Sequence, residues 1–190
     1  MRAFERALRR AGLPLRMTEG YSPRPRISFP VALGVGTEGI DEVMEFDLAE
    51  WVPTGEVANR LARELPEGLE LVSVELGSPK EHARAAWATY RVEAADGSPM
   101  DQRMSASALT ALMEREAIWV ERQRKGRNKR VNIRPFIRKL GLDGNAMVLE
   151  VAAGPEGSAR PEEILEALGF DATEVRGRFR LTRVHVVLQN

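Results

Sequence analysis

The residue types with the clearest chemical purpose are the cations of residues 122–139. Arg122, Arg124, Lys125, Arg127, Lys129, Arg130, Arg134, Arg138 and Lys139 make nine positive side chains with no acid among them. Guanidinium and ammonium groups at this density attract phosphate oxygens, and binding of such a segment to a polyphosphate chain weakens steeply as salt rises. Asn128 and Asn132 in the same stretch offer hydrogen bonds to bases or phosphates. The competing reading is a solvated hairpin, or one paired with acids elsewhere in the chain.

A second basic segment opens the chain. Residues 1–26 hold seven arginines against Glu5 and Glu19, and within them begins the run Gly20-Tyr21-Ser22-Pro23-Arg24-Pro25-Arg26-Ile27-Ser28-Phe29. The prolines stiffen this backbone, and Arg24 and Arg26, two apart, project to one side of an extended chain. Tyr21 adds a ring on which a base can stack. A proline-stiffened connection with solvated arginines is the plainer alternative. The whole chain has 28 basic and 28 acidic residues, so these two segments stand against an acidic remainder. If they converge in space, they form an anion-binding face.

Composition excludes much else. With no cysteine there is no disulfide, thiol nucleophile, zinc finger or cysteine-held iron–sulfur cluster. Only His82 and His185 are present, far apart, so a histidine-based metal site is not expected, and no cofactor is. His82 reads as a solvated linker residue and His185 as a core or edge residue of an apolar strand. Glu45, Asp47 and Glu50 read as a charged strand face rather than an acid–base pair. Gly34, Gly36 and Gly39 lead into a strand rather than a helix and sit beside Glu38, Asp41 and Glu42. They therefore predict a hairpin or bulge rather than a phosphate-cradling loop.

These residues need elements to hold them. Helices are predicted over 1–12, from Pro53 through Leu65, after Ser105, and from Pro161 to Gly169. Strands are predicted over 43–48, 69–76, 87–94, 117–124, 130–137, 147–151 and 178–188, with a linker over 77–86. The second half runs strand, helix, strands, helix, strand, which is the split βαβ order. The first half has that order without its first strand. The expectation is an α+β protein of tandem ferredoxin-like units, 1–78 lacking its opening strand and 87–190 complete. With no signal peptide and no apolar run of membrane length, the chain is expected to be cytoplasmic.

Three segments carry a family resemblance: Gly20 to Phe29 followed by Leu33-Gly34, Lys125-Gly126-Arg127 leading into Val131-Asn132-Ile133-Arg134-Pro135-Phe136-Ile137, and Ser158-Ala159-Arg160-Pro161-Glu162-Glu163-Ile164-Leu165. Together they resemble a bacterial radical-SAM-linked domain of unknown function. The resemblance implies a radical-SAM protein as partner, an acidic residue in the family where Asn132 stands, and further residues upstream of Met1. A cluster-binding radical-SAM enzyme needs cysteines that this chain lacks, so the implied role is an accessory module.

The leading expectation is thus a non-catalytic module that grips RNA, with tRNA or ribosomal RNA as candidates. Tyr21, Arg24, Arg26, Lys125, Arg127, Lys129, Arg130 and Arg134 are the candidate contacts. Two other readings stand beside it. The basic face could dock an acidic surface of the radical-SAM partner, or the chain could be a metal-free RNA-processing enzyme using Tyr21, His185 or Asp47.

Overall fold

A computed structural model describes residues 2–78, 82–124 and 126–189. In chain order the elements are α1 (Arg2–Arg10), β1 (Ile27–Ser28), β2 (Thr37–Gly39), β3 (Glu45–Phe46) and α2 (Thr54–Ala62). There follow β4 (Ala85–Ala94), α3 (Ala106–Met113), β5 (Trp119–Arg124), β6 (Arg127–Asn132), β7 (Ile137–Asp143) and β8 (Ala146–Ala152). The chain closes with α4 (Pro161–Ala167), α5 (Ala172–Arg178) and β9 (Phe179–Leu188). It is a mixed α+β protein. No helix among the described residues is long and apolar enough to cross a membrane.

The chain divides into two compact units. One comprises Met1–Pro30 and Met44–Ala83, the other Val31–Val43 and Arg84–Asn190. In the first, α1 buries Ala7 and Leu8 while its arginines stay outside. Gly12, at φ 63°, ends that helix in a conformation that other residues avoid. On α2, Val57 and Leu61 stand one turn apart and close a small core with Ala7, Leu8, Ala11 and Leu13. Fully burying such a leucine contributes about 1.5–3 kcal/mol, so this core rests on few side chains.

The expected strand over 69–76 does not form: residues 69–78 carry no regular structure. Leu71 and Val74 lean on the core, whereas Val72 and Leu76 are exposed. An alternating run becomes a strand only where a neighbouring backbone completes its ladder. Among the described residues the sheet in this unit is the two-stranded β1–β3 pair, with isolated bridges Leu15–Leu48 and Met17–Pro25. A four-stranded sheet is therefore not what the described residues of the first unit build.

The second unit holds a five-stranded sheet in the order β2-β9-β4-β8-β7. The pairs β9–β4, β4–β8 and β8–β7 are antiparallel, and β2 joins β9 in parallel. Period-two alternation puts Met147, Leu149 and Val151 of β8 on the buried face. Val92 of β4 stands between Met147 and Leu181 in the register. Leu109 and Leu112 of α3, Ile164 and Leu165 of α4, and Val175 of α5 join them in one core. The Ser105 hydroxyl caps α3 by accepting from the Ala108 N–H.

Three details differ from the sequence-based expectation. The glycine-containing stretch after Leu33 is neither hairpin nor bulge: it supplies β2, a parallel edge strand. Strand β6 stops at Asn132 rather than continuing to Ile137. Pro135, which has no N–H for a ladder, sits in a single 3₁₀ turn over Arg134–Phe136, and β7 begins after it. Asp171 opens a helix, α5, that was not expected, through a capping box with Glu174.

Candidate nucleic-acid interface

Strands β5 and β6 form their own two-stranded ribbon, with Arg124 opposite Arg127 at the turn and Trp119 opposite Asn132 at the base. Gly126, at φ 74°, supplies the left-handed residue of this tight turn. Lys125 lies outside the described residues. Val120 and Val131 face each other and pack against the core of the second unit. Buried Ile118 and Ile133 flank the ribbon, joined by the Ile133 N–H to the Ile118 carbonyl at 2.8 Å.

Several polar residues of the basic segment serve the fold. The Asn132 side-chain oxygen accepts from the Ile118 and Arg134 N–H groups at 2.9 and 3.1 Å. It pins the ribbon's base. The Arg134 guanidinium donates to the carbonyls of Met113 and Ile137 at 2.9 and 3.2 Å, which places it at the base as well. Arg122 donates through Nε and Nη2 to both oxygens of Glu163, at 2.6 and 2.7 Å, and to the Ser158 carbonyl. The paired carboxylate raises the Arg122 pKa above its ordinary value, outweighing the opposing effect of burial. Arg138 pairs with Glu150 at 2.8 Å and lies over the Trp87 ring.

Beside Lys139 on β7, that leaves Arg127, Lys129 and Arg130 exposed on β6, and among the described residues none of the four has a carboxylate partner. Register assigns those of β6 to two faces. Arg127 and Lys129 share the face of Val120, Arg122 and Val131. Arg130 shares the opposite face with Trp119, Glu121, Gln123 and Asn128. On that face the Arg130 guanidinium lies 4.8 Å from the centre of the Trp119 ring, which is 54% exposed. In the sequence Trp119 counts only as one of two aromatics near the basic segment, with Phe136, and not as a candidate contact. The signal that finds it is alternation: once Val120 is assigned inward, Trp119 must face out.

The other candidates belong to the first unit. The Thr18 N–H donates to the Arg24 carbonyl at 2.7 Å, and the Thr18 hydroxyl accepts from the Arg24 N–H at 3.0 Å. The Arg26 N–H donates to the Arg16 carbonyl, so residues 16–26 fold back on themselves. Gly20 at φ 125° sits at the bend. Tyr21 and Arg24 are exposed there, and Arg26 approaches the Asp47 carboxylate at 3.9 Å. Glu45 is occupied by the Ser28 hydroxyl, the Ala83 N–H and His82.

Arg183 is the largest polar group that sequence reasoning missed. It is fully buried on β9, beside Tyr90 in the register. Its guanidinium donates to both carboxylate oxygens of Glu42, to the carbonyls of Val31 and Ala32, and to the Tyr90 hydroxyl. His185, two residues further along the strand, is exposed rather than part of the core, with Nδ1 2.6 Å from Asp41. Glu42 and Asp41 thus tie residues 31–43 to β9.

The chain is thus an α+β protein whose second unit presents a cationic, aromatic-bearing ribbon anchored at its base. The family described as "Uncharacterized protein conserved in bacteria (DUF2344)" matches residues 1–161, and the chain belongs to that family. No curated protein matches it in sequence.

Proposed function

We propose that the chain is a non-catalytic module that grips RNA through the β5–β6 ribbon. The observation that carries this reading is the contrast within one segment. Arg122 and Arg138 are neutralised by carboxylates, whereas Arg127, Lys129 and Arg130 stand exposed on one strand without any. Like charges gathered on one short strand repel each other, and a phosphate chain relieves that repulsion while releasing its own counterions. Tyr21, Arg24 and Arg26 supply a second contact set on the first unit, and Lys125 would add to the first.

The second unit is read as ferredoxin-like. Its order β9-β4-β8-β7, all antiparallel, with α3 and then α4–α5 in the crossovers, agrees with the split βαβ arrangement, into which the ribbon is an insertion. The resemblance to a radical-SAM-linked domain suggests that the RNA is held for such a partner enzyme. Fold analogy by itself does not assign a function, so the charge arrangement carries the reading.

The test is binding of labelled tRNA and ribosomal RNA fragments across a salt series, with the native chain and an R127A/K129A/R130A variant. The native chain should bind with a steep salt slope. The variant should lose affinity and flatten that slope by about 2, at roughly 0.7 per phosphate contact on single strands. An absence of RNA binding would overturn the reading and make an acidic protein surface the next ligand to try.

A further inference from the structure

We propose that the RNA recognised by the ribbon is unpaired, and that one of its bases stacks on the Trp119–Arg130 platform. This deepens the RNA-gripping reading and rests on it. Three observations lead there. The first is the exposure of Trp119: at 54% accessible, a large indole on an otherwise polar face keeps apolar surface in water that a stacked base would cover. The second is the guanidinium of Arg130, 4.8 Å from the ring centre and without a carboxylate partner. A planar cation already layered on an aromatic ring offers a base a further plane to stack on, and offers the adjoining phosphate a charge.

The third is what shares that face. Gln123 and Asn128 stand opposite each other in the register, on the side of Trp119, and both are exposed. Four residues of strand at about 3.3 Å each place Gln123 roughly 13 Å from Trp119. A second, splayed nucleotide could reach their amides, whose donors and acceptors match base edges. The face therefore combines stacking with edge hydrogen bonding, which needs bases free of a duplex. A paired base has neither ring face nor Watson–Crick edge available to a ribbon. The major groove of A-form RNA, besides, is too deep and narrow for side chains to read.

The experiment compares a short single-stranded RNA with the same sequence annealed to its complement, at matched salt. It uses the native chain, W119L, W119F and the R127A/K129A double variant, each checked for native far-ultraviolet dichroism and melting. Single-stranded RNA should bind at least tenfold more tightly than duplex. W119L should lose about tenfold in single-strand affinity without changing the salt slope, because it removes a ring and no charge. W119F should retain most of the affinity, which shows that ring stacking is what matters. The double variant should do the reverse, lowering the slope with the strand preference kept. Equal binding of duplex and single strand, or a W119L variant that binds as the native chain does, would overturn the stacking proposal while leaving an RNA-gripping module standing. No binding of either RNA would overturn both.

Discussion

Arg122 of the basic ribbon is turned inward onto Glu163 of α4, with two parallel hydrogen bonds of 2.6 and 2.7 Å. Glu163 is 7% exposed and also accepts from the Arg160 N–H at 2.9 Å, which satisfies a free backbone donor at the helix start. A planar guanidinium held by both oxygens of a fixed carboxylate allows little rotation, so this pair sets the angle at which the ribbon leaves the core. Removing the carboxylate charge strands Arg122 in a partly dry site. Glu163→Gln should lower stability by about 2–3 kcal/mol, below the full cost of a completely buried pair because Arg122 keeps some solvent. Denaturant unfolding measures this. Hydrogen exchange should quicken at the N–H groups of β5 and β6 before those of β4 and β8. Unchanged exchange in the ribbon would mean that Val120 and Val131 alone orient it.

Arg183 and Glu42 play the corresponding part for residues 31–43. The buried guanidinium also satisfies the Val31 and Ala32 carbonyls, so replacing it by leucine orphans two backbone acceptors as well as a carboxylate. Arg183→Leu should cost on the order of 3 kcal/mol. Adding Glu42→Gln should recover part of that, since the lone carboxylate is then gone. A double variant no more stable than the single one would show that the backbone carbonyls, and not Glu42, are the important partners. Limited proteolysis should cut first within residues 31–43 of the single variant.

A cluster at the start of α3 gives the protein an acid-sensitive joint. Arg103 donates to Asp101 at 3.0 Å and to Glu174 at 2.8 Å, while lying 3.7 Å over the Phe170 ring. Hydrogen bonds from the Arg103 side chain are the main reason that the Asp101 and Glu174 carboxyls both fall to about 2. A carboxyl whose pKa is lower folded than unfolded adds stability that is fully present above its unfolded value near 4. That stability is lost as the pH falls from about 4 towards 2. The melting temperature should therefore drop across this window, and Arg103→Gln should both lower it at neutral pH and flatten its acid dependence. Parallel melting curves for the two proteins from pH 5 to 2 would show that other carboxylates govern the acid transition.

How much of this was legible beforehand follows from the range of each interaction. Local signals sufficed for α1 and α2, where Leu8, Val57 and Leu61 mark a buried stripe and Gly12 marks a stop. The strands β4, β8 and β9 announced themselves by apolar alternation, with Met147, Leu149 and Val151 as the plainest case. The run over 69–76 alternates too, yet whether it joins a sheet depends on a partner backbone elsewhere. The same limit hid β2, since Thr37, Glu38 and Gly39 become a strand only because β9 lies alongside. Within the basic segment, sequence supplies the charges but not their employment. Nothing in the spacing tells Arg122, held by an acid 41 residues later, from Lys129 directly across the ladder. Trp119 was readable in principle, through the inward assignment of Val120.

The ribbon contains a single acid, Glu121, which faces Arg130 across the ladder on the Trp119 side. Its charge opposes any phosphate that approaches the platform. In water, a unit charge about 8 Å from a phosphate contributes roughly 0.5 kcal/mol of repulsion, or about a twofold weakening. Glu121→Gln should thus raise RNA affinity about twofold at low salt, with the gain fading at ionic strengths where the Debye length falls below that distance. Because Glu121 makes no described salt bridge and is exposed, stability should stay within about 0.5 kcal/mol of native. Direct titration of the single-stranded probe at two salt concentrations distinguishes the cases. A loss of affinity instead of a gain would identify Glu121 as an acceptor for a base amino group, making the platform selective among bases. A loss of the same size at both salts would point the same way, since a hydrogen bond at close range escapes the screening that weakens distant charge.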